Sequence, residues 1–151
     1  MEASARSGAL VGRFDYSLDS KKRFTIPSEW RALMGNPQYV YVMPDPSERC
    51  LDLVPVAEME SRLLKLREKA LFDPASNRVL QTIGSISEMP ALDIQGRIRI
   101  SDKLLQFANL TTTVAMLGSV RMVKLWDPKA LAPAEKVDQQ ALASALLEVG
   151  F

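Results

Sequence analysis

The chain of 151 residues contains no histidine and only one cysteine, and these two absences exclude most classes of enzyme. Without histidine it cannot form a Ser-His-Asp or Cys-His nucleophile pair, a histidine-ligated zinc site or a histidine proton shuttle. Cys50 alone cannot form an internal disulfide or a Cys-x-x-Cys metal knuckle, which suits a reducing cytosol. We therefore expect no enzyme activity, no cofactor and no metal, and we expect Cys50 to be a small buried hydrophobe rather than a redox sensor.

Long apolar runs and a strong net charge are also lacking. Hydrophobic residues make up 47% of the chain, charged residues make up 25%, and the formal net charge is +1. No segment approaches the roughly 18 apolar residues of a membrane span, and residues 1–10 lack the apolar core of a signal peptide. These features predict a cytoplasmic globular protein with no membrane partner. The charge gives no general attraction to nucleic acid, so any such binding must come from local clusters of charge.

What the chain does contain is a copy of part of itself. Residues 18–28 (LDSKKRFTIPS) recur as residues 92–102 (LDIQGRIRISD), with Leu, Asp, Arg and Ile superposed at a single offset of 74 residues. Each copy is followed by a short helical stretch and two apolar, strand-like segments. The simplest interpretation is a unit of strand, turn, strand, helix, strand and strand that occurs twice.

The patterning within and between the copies predicts an α+β fold. Apolar and polar residues alternate after each turn, at residues 24–26 and 98–100, as in strands with one buried face. Gly96 supplies a positive φ in the second turn, and Lys22 takes the matching position in the first, where a left-handed conformation costs roughly 1 kcal/mol. Ser28 and Ser101 are candidates to cap the helices that follow. Between the copies, residues 56–72 and 75–83 have helical spacing and form a two-helix insert, and residues 138–147 predict a C-terminal helix.

The chemistry that the copies share is an aspartate four residues before an arginine, across a tight turn. Such a carboxylate can hold turn amides and orient the guanidinium, a planar fork that suits phosphate oxygens or the edge of a guanine. Lysines and arginines around the turns add charge, although Leu105 stands where Arg31 would map in the second copy. The predicted contact residues are Arg23, Arg97, Lys21, Lys22, Arg31 and Arg99, with Asp19 and Asp93 as the orienting carboxylates.

Two other interpretations of the paired aspartates compete with a binding site. An Asp and an Arg beside a hairpin turn often form only an exposed ion pair, worth roughly 0–1 kcal/mol. Its recurrence in the same context favours a function. Alternatively, Asp19 and Asp93 could share a proton as a catalytic dyad, but residues 20–23 are all polar and a dyad needs an enclosed pocket.

These residues resemble a known family. Leu-Asp-x-x-Gly-Arg followed by an alternating strand is similar to the swapped-hairpin units of AbrB-type regulators, and two such units in a chain of this length resemble the MraZ family. Lys22 departs from the usual Gly of the motif. The resemblance covers roughly residues 10–132 and extends to Leu10-Val11-Gly12, Cys50-Leu51-Asp52-Leu53 and Leu125-Trp126-Asp127.

The resemblance implies a pseudo-two-fold double-split β-barrel made of two repeats, with a two-helix insert and a C-terminal helix. The expected divisions are repeat 1 at residues 13–58, a helical connector at 59–84, repeat 2 at 87–130 and a tail at 131–151. It also implies a nucleoid-associated transcriptional regulator that assembles into a homo-oligomeric ring and binds direct repeats in promoter double-stranded DNA. Such a protein represses its own gene and the adjacent division and cell-wall genes, and it has no small-molecule substrate.

A third class of function is an oligomerisation or protein-docking scaffold that binds no DNA. The amphipathic segment at residues 56–72 is the feature that supports it, although its apolar stripe is more typical of a helix that covers a core or a subunit interface. The dependence of DNA affinity on salt distinguishes a scaffold from a DNA-binding protein.

Overall fold

A computed structural model describes residues 8–134 and 138–151 and shows a mixed α+β protein. The first half contains β1 (Arg13–Ser17), β2 (Arg23–Thr25), α1 (Ser28–Leu33), β3 (Tyr41–Pro44) and β4 (Leu51–Val54). Two helices follow, α2 (Val56–Ala70) and α3 (Pro74–Ile86). The second half contains β5 (Arg97–Arg99), α4 (Asp102–Phe107), β6 (Thr113–Gly118), β7 (Val123–Trp126), α5 (Pro128–Ala134) and α6 (Gln139–Glu148).

The strands form two antiparallel sheets. Five of them make one sheet in the order β1-β6-β7-β4-β3, and β2 pairs with β5 in a separate two-stranded ribbon. All four residues of β4 are buried, since this strand lies inside the sheet with both edges paired. An α+β fold is therefore confirmed.

The register of the pairing is the same in both directions between the two copies. Phe14 pairs with Met116, and the residues 74 positions away from each, Glu88 and Val42, form a bridge of their own. In the same way, the pair of Ser17 with Thr113 is matched by the bridge between Tyr39 and Ala91. Each copy thus lays the segment before its turn against a strand of the other copy, so the two copies form one folded unit.

The symmetry is imperfect at the start of the second copy. The expected first strand there is reduced to isolated bridges at Glu88 and Ala91. Pro90 lies between them and has no amide hydrogen to donate, although its carbonyl still accepts from Val40 N at 3.3 Å. The prediction of a regular strand before the turn is therefore correct for the first copy and wrong for the second.

The main core lies between the ribbon, the sheet and the short helices. Trp30 is 1% exposed and meets Phe14 edge to face with 5.0 Å between the ring centroids. Its indole Nε1 donates to Val11 O at 3.0 Å, which satisfies the one polar atom of a buried tryptophan. Phe24 and Ile98 pair across the ribbon and are almost fully buried. The inner face of the ribbon is therefore fixed to the core.

The helix ends follow the sequence with two exceptions. Asp73 caps α3 by accepting from Ala75 N at 3.2 Å and Ser76 Oγ at 2.7 Å, and Ser101 caps α4 by accepting from Leu104 N at 3.4 Å. Ser28 does not cap α1, because Pro27 occupies the cap position and no side chain bonds there. Helix α5 was not predicted, although its first residue, Pro128, is typical of a helix start.

The predicted C-terminal helix is present as α6, and Asp138 accepts from Gln140 N at 3.0 Å and Ala141 N at 3.2 Å at its start. In the described part of the chain, every helix is too short or too polar to cross a bilayer.

Candidate nucleic-acid interface

The first turn is held by one carboxylate. Asp19 Oδ1 accepts from the backbone N–H groups of Lys21 and Arg23 at 2.9 and 2.8 Å, and Oδ2 accepts from Arg23 Nε at 2.8 Å. Backbone bonds close the same turn, from Lys22 N to Asp19 O and from Asp19 N to Arg23 O, both at 2.9 Å. The aspartate therefore fixes the path of the turn and the direction of the guanidinium together.

The second turn repeats these contacts. Asp93 Oδ1 accepts from the backbone N–H groups of Gln95 and Arg97 at 3.0 and 2.8 Å, and Oδ2 accepts from Arg97 Nε at 2.7 Å. An ion pair that is only incidental to the surface does not require these bonds to the backbone. The duplicated unit is therefore an ordered motif in which one carboxylate fixes both the turn and the arginine. The predicted orienting contacts of Asp19 and Asp93 are present.

These contacts favour the ionised form of both carboxylates. Hydrogen bonds from the backbone N–H and guanidinium of Arg23 hold the pKa of Asp19 below its usual value, and Arg97 lowers the pKa of Asp93 in the same way. The side chains of Arg23 and Arg97 remain 28% and 30% exposed. Since only Nε of each guanidinium is bound by the aspartate, both terminal nitrogens can donate together to an outside acceptor.

The residue just before the arginine of each turn is Lys22 in the first copy and Gly96 in the second, and the difference has a steric reason. Lys22 has φ of 59° and Gly96 has φ of 80°, so the first turn, whose conformation the sequence left open, adopts the same left-handed conformation as the second. A Cβ on Gly96 would lie 2.4 Å from the guanidinium carbon of Arg31, whose Nε donates to Ile26 O at 3.0 Å. The first copy has room for a side chain because Leu105, which lines a shallow cavity with Lys22, replaces that arginine.

Arg31 therefore lies against the turn of the other copy. It is half-buried and packs on Gly96, rather than standing beside Lys21 and Lys22 in the first turn. In this position the guanidinium supports the backbone of the second turn and has less freedom to reach an outside ligand.

The ribbon brings three arginines onto one outer face. Arg23 pairs with Arg99, and Thr25 pairs with Arg97, whereas Phe24 and Ile98 point to the core. Because β2 and β5 are antiparallel, the two turns lie at opposite ends of this ribbon. Asp19 and Asp93 are thus separated and each is bound to its own arginine, which removes the geometry of a shared-proton dyad.

An acidic residue that the sequence analysis missed lies among these cations. Asp102 Oδ1 accepts from Lys22 Nζ and from Arg99 Nη2, each at 3.1 Å, and Arg99 Nη1 also donates to Ile100 O. Hydrogen bonds from Lys22 and Arg99 lower the pKa of Asp102. Ser28 occupies the matching position of the first copy, so the repeat itself gave no signal for this contact. Lys21 is exposed, and its ammonium has no carboxylate partner within residues 8–134 and 138–151.

The other charged cluster is buried and structural. Lys124 Nζ donates to Asp52 Oδ1 at 2.8 Å and to Asp45 Oδ2, and the two aspartates are only 5% and 7% exposed. Burial alone would raise the pKa of Asp45, but hydrogen bonds from Lys124 and the amides of Ser47 and Glu48 hold it well below its usual value. Burial raises the pKa of Asp52 to about 6.

Cys50 belongs to the same region and is fully buried, which confirms the prediction of a small buried hydrophobe. Burial and the carboxylates of Asp45 and Asp52 raise the pKa of its thiol to about 12, so it is not a reactive thiolate. Asp45, Cys50 and Asp52 are close enough to one another to share a metal ion. Lys124, however, already supplies the positive charge to both carboxylates, so the cluster is satisfied as an ion pair.

The fold and this site define an internally duplicated α+β protein that presents oriented arginines on an exposed ribbon. No protein-family model matches the chain. Individual proteins do match it. The transcriptional regulator MraZ of Thiobacillus denitrificans is 32% identical over 136 residues, which are 86% of this chain and 91% of that protein.

Two further relatives carry the same name, transcriptional regulator MraZ. The one from Proteus mirabilis is 30% identical over 145 residues, covering 89% of this chain and 95% of the relative. The one from Clostridium acetobutylicum is 23% identical over 144 residues, covering 94% and 99%. The chain belongs to the MraZ family. These relatives are named as regulators of transcription and not as enzymes.

Proposed function

We propose that this protein is a sequence-specific DNA-binding transcriptional regulator whose contact surface is the β2–β5 ribbon with its two turns. The observation that carries the proposal is the duplicated contact of one aspartate with its turn amides and the Nε of its arginine. Arginines oriented in this way can donate through both terminal nitrogens to N7 and O6 of a guanine or to a phosphate. The names of the relatives point to the same activity.

A two-stranded β-ribbon is an element that can enter the major groove of DNA, which is about 12 Å wide. With Phe24 and Ile98 anchored in the core, the outer face can approach the base edges without deforming the fold. We assign Arg23 and Arg97 to base contacts, Lys21, Lys22 and Arg99 to contacts with phosphate or base edges, and Arg31 to support of the second turn.

The proposed architecture is the pseudo-two-fold double-split β-barrel. Repeat 1 would comprise residues 13–58 and repeat 2 residues 87–130, with a helical connector at 59–84 and a tail at 131–151. The matched registers of Phe14 with Met116 and of Val42 with Glu88 support this division, because each copy supplies the strand partner that the other lacks.

One such face carries few charges, so we propose that affinity comes from assembly. A homo-oligomeric ring would present several identical ribbons to successive direct repeats, and linkage would raise the affinity without new contacts. By resemblance to its family, the targets are the promoter of its own gene and the adjacent division and cell-wall genes, which it represses in the cytoplasm at the nucleoid. Retention of full operator affinity by a monomer in light scattering would contradict the multivalent mechanism.

The test is a titration of the DNA upstream of its own gene, followed by fluorescence anisotropy at several salt concentrations. We expect the logarithm of the affinity to fall linearly with the logarithm of salt concentration. Arg23→Ala should abolish specific binding, and Arg97→Ala should weaken it less, because the second turn has fewer cations around it. Arg62→Ala is the matched control, since Arg62 forms an exposed pair with Glu58 on α2.

A scaffold that binds no DNA is the second candidate, and one observation favours it. Leu71 and Phe72, between α2 and α3, are 76% and 90% exposed. Self-association or protein binding that is indifferent to salt and to Arg23→Ala, but is lost with Phe72→Ser, would favour the scaffold over the DNA-binding protein.

A further inference from the structure

We propose that Ile94 and Gln95, at the tip of the second turn, read an A·T base pair, so that the two ends of the ribbon have different base preferences. Ile94 would contact the thymine methyl group, and Gln95 would hydrogen-bond to adenine. This inference rests on the proposed DNA-binding function and adds the residues that set part of its specificity.

The exposure of Ile94 is the first observation. This side chain is 100% exposed and lies between two exposed polar residues, Asp93 and Gln95. The matching residue of the first turn is Ser20, so the turn itself does not need an aliphatic side chain at this position. Because it has no apolar contact within the described part of the chain, this isoleucine keeps its whole side-chain surface available for burial against an apolar group of a ligand.

The rigidity of the turn is the second observation. Gln95 N donates to Asp93 Oδ1 at 3.0 Å, and Gly96 N donates to Asp93 O at 2.9 Å. The backbone that carries residues 94 and 95 is therefore fixed by the same aspartate that orients Arg97. The amide of the Gln95 side chain is exposed and has no hydrogen bond to any other residue that the structure describes. The tip of the turn is therefore ordered beside Arg97 before any ligand binds, which lowers the entropic cost of contacts made by Ile94 and Gln95.

The chemistry of these two residues matches one base pair. In the major groove, apolar side chains recognise the C5 methyl group of thymine, and glutamine recognises N6 and N7 of adenine. Arg97, three residues from Ile94, suits a neighbouring guanine. Gln95 and Arg97, the neighbours of Ile94 along the chain, are hydrogen-bonding side chains that suit base edges better than an apolar protein surface.

The tip of the first turn carries side chains of a different chemical kind. Ser20, Lys21 and Lys22 include no apolar group, and the two lysines suit phosphate or the acceptors of guanine. The approximate symmetry of the ribbon is thereby broken in its chemistry, and the chain can distinguish the two directions along a DNA site. This asymmetry agrees with the direct repeats of the proposed function, which all point the same way.

The experiment is selection of binding sequences from random duplexes with the wild-type protein, Ile94→Ser and Gln95→Ala. Leu71→Ser is the matched control, because it removes another exposed aliphatic side chain far from the turns along the chain. Each thymine of the selected duplex is then replaced in turn by uracil, which lacks only the methyl group.

We expect one uracil position to weaken wild-type binding about fourfold, the value for burying one methyl group, and to have no effect on Ile94→Ser. Gln95→Ala should lower the preference for A·T at the same or the adjacent position roughly tenfold. Leu71→Ser should behave as the wild type. Selection of one unchanged sequence by all four proteins, with no difference in the uracil scan, would overturn the inference and leave the proposed function intact. Failure of the wild-type protein to enrich any duplex would overturn both.

Discussion

Replacement of Lys124 by Met would leave two buried carboxylates without their cation. Lys124 on β7 pairs directly with Asp52 on β4 and also reaches Asp45 at the end of the β3–β4 hairpin, so it links the two copies. Met has a similar length and no charge, so the substitution tests the charge rather than the packing.

The expected cost follows from burial. Breaking a buried ion pair by removing one partner costs about 3–5 kcal/mol, because the remaining charge is left uncompensated. Both aspartates are less than a tenth exposed, so the full penalty applies near pH 7. A domain with about 5–15 kcal/mol of stability loses a large part of it. At pH 5 the cost should be smaller, because the carboxylates can take up protons in the variant.

The assay is urea unfolding at pH 7 and pH 5, at one protein concentration because assembly also affects stability. Lys65→Met, on the exposed face of α2, is the control and should change the free energy of unfolding by less than about 0.5 kcal/mol. A cost of Lys124→Met below 1 kcal/mol at pH 7, or a cost that is larger at pH 5, would refute the assignment of this cluster as a stabilising buried ion pair.

Three further substitutions test the site and its support. Burial raises the pKa of Asp52 to about 6, so the wild-type protein loses about 1 kcal/mol of stability from this group as the pH rises from 5 to 7. Asp52→Asn should remove this pH dependence, and urea unfolding at the two pH values would show whether it does. Gly96→Lys should destabilise the protein through contact with Arg31, and Arg31→Leu should recover part of the loss; lack of any recovery would contradict the steric explanation. Lys22→Gly should leave the free energy of unfolding within about 1 kcal/mol of the wild type, because glycine adopts the left-handed conformation without strain and this gain offsets the loss of the exposed ion pair with Asp102. The same substitution should lower the salt dependence of DNA binding.

Local patterns in the sequence predicted the parts of the fold that depend on neighbouring residues. The duplicated turn, the positive φ of Gly96 and the helices on both sides of Asp73 all depend on residues within a few positions of one another. Their physical causes, a short turn and the spacing of apolar residues, are visible in the sequence itself. The orienting contacts of Asp19 and Asp93 were predictable for the same reason.

The contacts that were missed join distant positions. Asp102 and Lys22 are 80 residues apart, and Lys124 lies 72 and 79 residues from Asp52 and Asp45. No periodicity connects such residues, and their meeting depends on the pairing of one copy with the other. The support that Arg31 gives to Gly96 has the same origin, because it crosses between the copies.

The role of the ribbon in DNA binding is tested most directly by hydrogen–deuterium exchange of the whole protein with and without the duplex from its own promoter. We predict that DNA slows exchange in residues 19–25 and 93–99, the two turns and the ribbon, and leaves α2 and α3 unchanged. Slower exchange confined to α2, α3 or α6, with both turns unaffected, would contradict the assignment of the ribbon as the DNA-binding surface.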